Sequence, residues 1–256
     1  MRLHFQTYGR GEPLIILHGL LGSLDNWHSV SLKLAERFQV WAVDQRNHGR
    51  SPHDAEMSYP ILAEDIREFM QVQGLARACL LGHSMGGKTA MQLALLYPER
   101  VAKLIVADIS PRASSPRHDR TLEGLSALDL AAFANRREME AALAPWVPDL
   151  TTRRFLLKNV ARADEGFHWR IGLREIHRNY GRLGAALAGE RQFAGPALFL
   201  RGEWSDHLQE SDLPLILACF PQAHLRTSPH SGHLLHTENP AAFLAAVQEF
   251  LCPAGN

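Results

Sequence analysis

Cys79-Leu80-Leu81-Gly82-His83-Ser84-Met85-Gly86-Gly87 decides the fold. The three leading residues read as the end of a buried strand. Gly86, Ala90, Leu93, Ala94 and Tyr97 then recur at helical spacing until Pro98 stops the pattern. A Gly-x-Ser-x-Gly turn between strand and helix holds one hydroxyl in strained geometry at the carboxyl edge of a sheet. Gly82 and Gly86 must be small, because side chains there would collide with the turn. The helix behind the serine presents its positive end to a developing oxyanion, and the Met85 N–H points to the same place. A solvent-exposed serine on a Gly-rich turn is the bland alternative. The flanking strand and helix, with the residues downstream, favour Ser84 as a nucleophile.

Moving outward, short apolar runs alternate with helical patterns, the mark of a mostly parallel sheet with helices on both faces. Strands are expected at Leu14–Leu17, Val40–Asp44, Ala78–Leu81, Leu104–Asp108, Ala197–Leu200 and His224–Thr227. Leu3–Tyr8 alternates, ends at Gly9-Arg10-Gly11, and is expected to form an antiparallel hairpin with the strand that follows. Two more helices are marked by Leu62, Ile66, Phe69 and Met70 after Pro60, and by Phe243, Leu244, Val247, Phe250 and Leu251 after Asn239-Pro240. The strand–helix rhythm breaks between Pro111 and Arg191, where Leu128–Leu143 and Thr152–Val160 look helical. The expected organisation is a core of residues 1–110 and 192–256 with a helical cap inserted at 111–191.

The first strand runs into His18-Gly19-Leu20-Leu21-Gly22, and a strand ending in His-Gly next to such a serine supplies a second oxyanion donor, here the Leu20 N–H. His18 reads as a packing and hydrogen-bonding residue, and His18, Gly19 and His83 are expected to line the substrate site. The proton carrier must lie late in the chain, and among fourteen histidines His233, in Ser231-Gly232-His233 after the last strand, has that position. His236 and Glu238 are expected to brace its loop. His230, His233 and His236 could be read as metal ligands, but no Cys or carboxylate cluster supports them and a serine mechanism needs no metal. The acid that orients the imidazole has two candidates. Asp206 follows the strand Ala197–Leu200, the commoner position. Asp108 ends the strand next after the nucleophile's and could reach the same histidine from the other side.

Leu17–Trp27, Asp44-Gln45-Arg46-Asn47-His48-Gly49-Arg50-Ser51-Pro52, Gly82–Lys88 and Ala107-Asp108-Ile109-Ser110-Pro111 resemble the bacterial YbfF-type esterases of the α/β-hydrolase superfamily. The resemblance covers most of the chain apart from the cap, and the Arg-Asn-His-Gly-x-Ser-Pro segment is its most specific part. It implies an α/β-hydrolase fold, a helical cap, and a small carboxylesterase or acyl-CoA thioesterase. It also implies Asp108 as the acid, although this chain carries Asp206 in a segment where the family pattern often has no aspartate. From their place at the sheet edge, Arg46, Asn47 and His48 are expected to hydrogen-bond the oxyanion loop without moving protons.

The expected chemistry is acyl transfer to water through an acyl-enzyme at Ser84, with no cofactor, on a small ester or thioester. A carbon–carbon bond hydrolase of the same fold and a slow-turnover ligand receptor remain alternatives. A dehalogenase or epoxide hydrolase would carry a carboxylate at position 84. Residues 111–191 hold 14 Lys/Arg against 10 Asp/Glu. Arg170, Arg174, Arg178 and Arg182 fall four apart, beside an apolar stripe of Leu173, Ile176, Tyr180 and Leu183. That basic face is either simply solvated or attractive to a phosphate-bearing thioester.

At 256 residues the chain suits one large α/β domain. Its zero formal net charge argues against bulk attraction to nucleic acid or anionic membrane. No apolar run approaches the ~18 residues of a membrane span, and no signal peptide is visible at Met1–Tyr8. Three widely spaced cysteines suggest no disulfide framework and fit a reducing cytoplasm. A monomer or homodimer is expected.

Overall fold

The computed structural model describes residues 1–114, 117–164, 166–187 and 191–252. Strands β1 (Phe5–Tyr8), β2 (Glu12–Leu17), β3 (Phe38–Val43), β4 (Ala78–His83) and β5 (Val101–Ala107) form the first part of the sheet. After a long excursion, β8 (Ala197–Gly202) and β9 (Ala223–Ser228) complete it. The seven strands lie in the order β1-β3-β2-β4-β5-β8-β9. All pairings are parallel except that of β1.

The expected hairpin does not form. β1 pairs antiparallel with β3, from Phe5 opposite Val43 to Tyr8 opposite Val40. β2 is already hydrogen-bonded on both edges, to β3 and β4, so the N-terminal strand takes the free edge of β3. Gly9 makes the crossing possible: a Cβ there would lie 2.3 Å from the Ala35 carbonyl and 2.5 Å from that of Phe38.

Side chains alternate across the buried strands, so each contributes to two cores. Ile15, Leu17, Leu80 and Val106 pack with α2 (Tyr59–Val72), α3 (Met85–Leu96) and α8 (Leu213–Cys219). Leu14, Ile16, Leu81 and Ile105 pack on the other face with α1 (His28–Leu34), α9 (Leu235–Glu238) and α10 (Pro240–Leu251). α10 starts where the sequence signals it, with the Asn239 side chain accepting from the Ala242 N–H.

Between β5 and β8 the chain forms α4 (Asp119–Ser126), α5 (Arg136–Leu143), α6 (Leu150–Leu157), a two-stranded antiparallel ribbon of β6 (Val160–Arg162) and β7 (Phe167–Trp169), and α7 (Leu173–Leu183). A third core cluster fills this insertion and runs through Met57, Tyr59 and Leu62 to Met85 beside the Ser84 turn. The single helix expected over Leu128–Leu143 is broken. Asp129 accepts from the Ala131 N–H, and Asn135 from those of Arg137 and Glu138, so each starts a new turn. Arg170 lies outside α7, which leaves Arg174, Arg178 and Arg182 on the helix. No helix among the described residues is long and apolar enough to cross a membrane.

Candidate active site

Sheet register brings several strand ends level. Leu17 lies opposite Gly82, Gly82 opposite Val106, and Ala107 opposite Leu200. The chain therefore leaves β2, β4, β5 and β8 side by side at one edge.

Ser84 occupies the turn from β4 into α3 at φ 52° and ψ −117°. Such a conformation costs a non-glycine residue on the order of 1–3 kcal/mol. It is held by the Ser84 N–H donating to Ala107 O (3.0 Å) and the Lys88 N–H donating to Ser84 O (3.0 Å). The neighbouring glycines are required by close approach. A Cβ on Gly82 would lie 2.2 Å from Gly86 O, and one on Gly86 would lie 2.3 Å from Leu17 O.

Ser84 opens into a cavity of about 450 Å³. His18, Gly19, Leu20, His83 and His233 line it from the core, and His118, Thr121, Phe155 and Leu156 from the insertion. Leu20 and Met85 lie beside Ser84, and among the described residues neither backbone N–H donates to a protein acceptor. The loop carrying Leu20 is fastened from behind. Leu21 N–H donates to His48 Nε2 (3.1 Å), Leu24 N–H to Asp44 Oδ1 (2.8 Å), and Gln45 N–H to His18 Nε2 (3.0 Å). Burial lowers His18 to about 4 and His48 to about 3, so both rings are neutral acceptors. Of the three residues expected to hold this loop, only His48 does. Arg46 is buried against Asp65 (2.8 Å), and Asn47 bonds Asp54 and, through its carbonyl, the Gly172 N–H of the insertion.

His233 follows β9 and stands beside Asp108. Its Nδ1 lies 2.8 Å from Asp108 Oδ2. Asp108 is fully buried at the end of β5 with φ 53°, and its carboxylate also accepts from the Gly202 N–H (2.9 Å) and the Ser205 hydroxyl. Burial lowers His233, with His118 and His236 adding to the effect, and so keeps its imidazole neutral. Burial raises Asp108, while the bonds from Ser205 and Gly202 pull the other way. The His233 ring is enclosed on two sides: His207 stacks on it at 3.8 Å, and His83 lies 4.6 Å away. His83 Nε2 donates to the His233 carbonyl (2.8 Å), which fixes the loop as well as lining the cavity.

Asp206, the other candidate acid, points away. Its side chain is 60 % exposed and pairs with Arg117. The three spaced histidines diverge too. His230 is exposed near Glu203, His233 faces Asp108, and His236 stacks on Trp27 at 4.2 Å. Glu238 accepts from the Gly232 N–H, bracing the loop as its position suggested. Arg174 and Arg178 line a separate open depression of about 680 Å³ with His53, Trp169 and His177. Though larger, it contains none of the groups that flank Ser84. Sequence reasoning missed Ser205 and His207, polar residues on the turn after β8 with no spacing signal of their own.

The family model described as "alpha/beta hydrolase fold" matches residues 12–240. The chain is 34 % identical to the sn-1-specific diacylglycerol lipase ABHD11 of Mus musculus, over 93 % of this chain and 80 % of that protein. It is 32 % identical to the esterase YbfF of Escherichia coli (strain K12), over 96 % and 95 % of the respective lengths. A solved structure described as a marine microorganism esterase superposes with a TM-score of 0.95 at 43 % identity, covering 97 % of this chain and 98 % of that one. With this fold, and with likeness to these proteins along nearly its whole length, the chain belongs to the α/β-hydrolase superfamily, in the family of the YbfF-type esterases.

Proposed function

We propose that the protein is a serine hydrolase of carboxylic esters, working through an acyl-enzyme at Ser84. The relatives' names as esterases and lipases support hydrolysis. The observation that carries the mechanism is the pairing of a buried Asp108 with His233 on the wall of the cavity into which Ser84 opens.

In this reading the Ser84 hydroxyl adds to the substrate carbonyl carbon while His233 takes its proton. The Leu20 and Met85 N–H groups donate to the resulting oxyanion. Asp108 holds the proton on Nδ1, leaving Nε2 free, and stabilises the imidazolium. Collapse of the intermediate breaks the bond to the leaving oxygen, which takes the proton from His233. Water, deprotonated by the same ring, then adds to the acyl-serine, and collapse releases the acid. Residues 111–191 act as a cap, since their His118, Thr121 and Phe155 supply the outer wall of the cavity.

Ser84→Ala is expected to reduce nitrophenyl butyrate hydrolysis by at least about 10³-fold and to abolish labelling by a fluorophosphonate probe. An unchanged rate rejects the mechanism. A thioester is a second reading, favoured by Arg174 and Arg178 flanking the open depression on the insertion. Reversing both charges should raise KM for an acyl-CoA and spare neutral esters, and equal effects would discard it.

A further inference from the structure

Lys88 is a fully buried lysine one turn beyond the nucleophile. Its Nζ donates to two carbonyls, Arg112 O and Ala185 O, each at 2.8 Å. These acceptors lie on the two passages of chain between core and insertion, Arg112 on the way out and Ala185 on the way back. The passages are also bonded to one another, by Ser114 N–H to Gly184 O (2.8 Å) and Leu187 N–H to Pro111 O (3.0 Å). The Tyr59 ring lies 5.5 Å from the ammonium, and its hydroxyl donates to Leu183 O (2.7 Å) on the returning passage.

Burying an ammonium is costly, and a methionine of similar length would fill the space with less penalty. Burial lowers Lys88 to about 8, and Arg112 adds to the effect. What the ammonium adds over an apolar side chain is donors that reach both passages at once.

These two passages form the neck of the insertion. Just beyond it, the N–H groups of Arg117 and His118 donate to the Tyr180 hydroxyl (2.9 and 2.8 Å), and His118 forms part of the wall facing Ser84. We propose that Lys88 is a positioning residue that fastens both passages of the insertion to the nucleophile helix, and thereby sets the wall that receives the longer part of the acyl chain. The proposal rests on the acyl-transfer reading of Ser84. A short acyl group needs only the core side of the cavity, whereas a long one must pack against the insertion.

The test compares Lys88→Met with the wild type on nitrophenyl acetate and nitrophenyl decanoate. KM for the decanoate should rise about tenfold, with acetate turnover within about threefold, the scale expected of a wall misplaced by less than an ångström. Tyr59→Phe, which removes one bond to the same neck, should shift the ratio in the same direction by about threefold and decides the matter if Lys88→Met does not fold. Equal losses on both esters, or an unchanged ratio, would overturn the proposal. Hydrogen exchange at the Ser114 and Leu187 amides gives a readout independent of turnover. It should quicken in Lys88→Met, and unaltered protection would also overturn the proposal. Failure of the wild type to hydrolyse esters or label at Ser84 would instead count against the acyl-transfer reading.

Discussion

Replacing Asp108 by asparagine separates the two carboxylates. In the native arrangement Oδ1 accepts from the Gly202 N–H (2.9 Å), and Oδ2 accepts from Ser205 and His233 Nδ1 (2.8 Å). Asparagine has a single acceptor oxygen, and the fixed Gly202 N–H claims it. The amide NH₂ then faces His233 Nδ1 and donates to it. That moves the imidazole proton to Nε2, the atom that accepts from Ser84 in the proposed mechanism. The wrong tautomer costs about 10⁴ in kcat where this substitution disrupts such a triad, equivalent to about 5.5 kcal/mol of transition-state stabilisation. Asp206→Asn should change kcat by less than about threefold, since an exposed ion pair contributes little and that carboxylate is 60 % exposed against Arg117. The assay is kcat and KM on nitrophenyl butyrate for both variants, with circular dichroism to verify folding. A large loss in folded Asp206→Asn, with Asp108→Asn near wild type, would refute the pairing.

The acid limb of the pH–rate profile should have its midpoint below 6.5, the ordinary histidine value, because burial lowers His233. Activity requires the neutral ring, so the rate is lost as pH falls through that protonation, and a midpoint at or above 7 would contradict the electrostatics. Ser205→Ala removes a donor to the Asp108 carboxylate and should lower kcat/KM about tenfold, the low end of what a hydrogen bond to a charged group contributes. A change under twofold in steady-state assays would show that the bond is dispensable. Gly86→Ala should abolish activity and labelling, since its methyl would lie 2.3 Å from Leu17 O and 2.6 Å from His18 O. Retained turnover would mean that the turn relaxes.

The central strands were legible because strands buried on both faces are continuous apolar runs, as in Leu14–Leu17 and Leu104–Ala107. The partner of β1 was not, because an alternating strand carries no label for the edge it joins. The short strands β6 and β7 were missed because three residues give too little pattern to detect. Ser84 was visible through its glycines, which answer to local crowding. The choice between Asp108 and Asp206 was not, because both follow strands that end at the same edge. In the structure they differ in burial and in the donors from Gly202 and Ser205 to Asp108, which come from parts of the chain distant from it. Lys88 read only as part of a motif, since its acceptors are backbone carbonyls 24 and 97 residues away.

The neighbouring strands β4 and β5 pair His83 with Ala107, so Ser84 and Asp108 each stand one residue past the same rung of the sheet. Their separation is a property of a ladder that must melt with the whole domain. His233 has no such anchorage. It depends on a short loop secured by the Glu238, His83 and Ser231 side chains. In the proposed triad, mechanical softness is therefore concentrated in the histidine, and gentle heating or dilute denaturant should abolish ester hydrolysis before the fold itself yields.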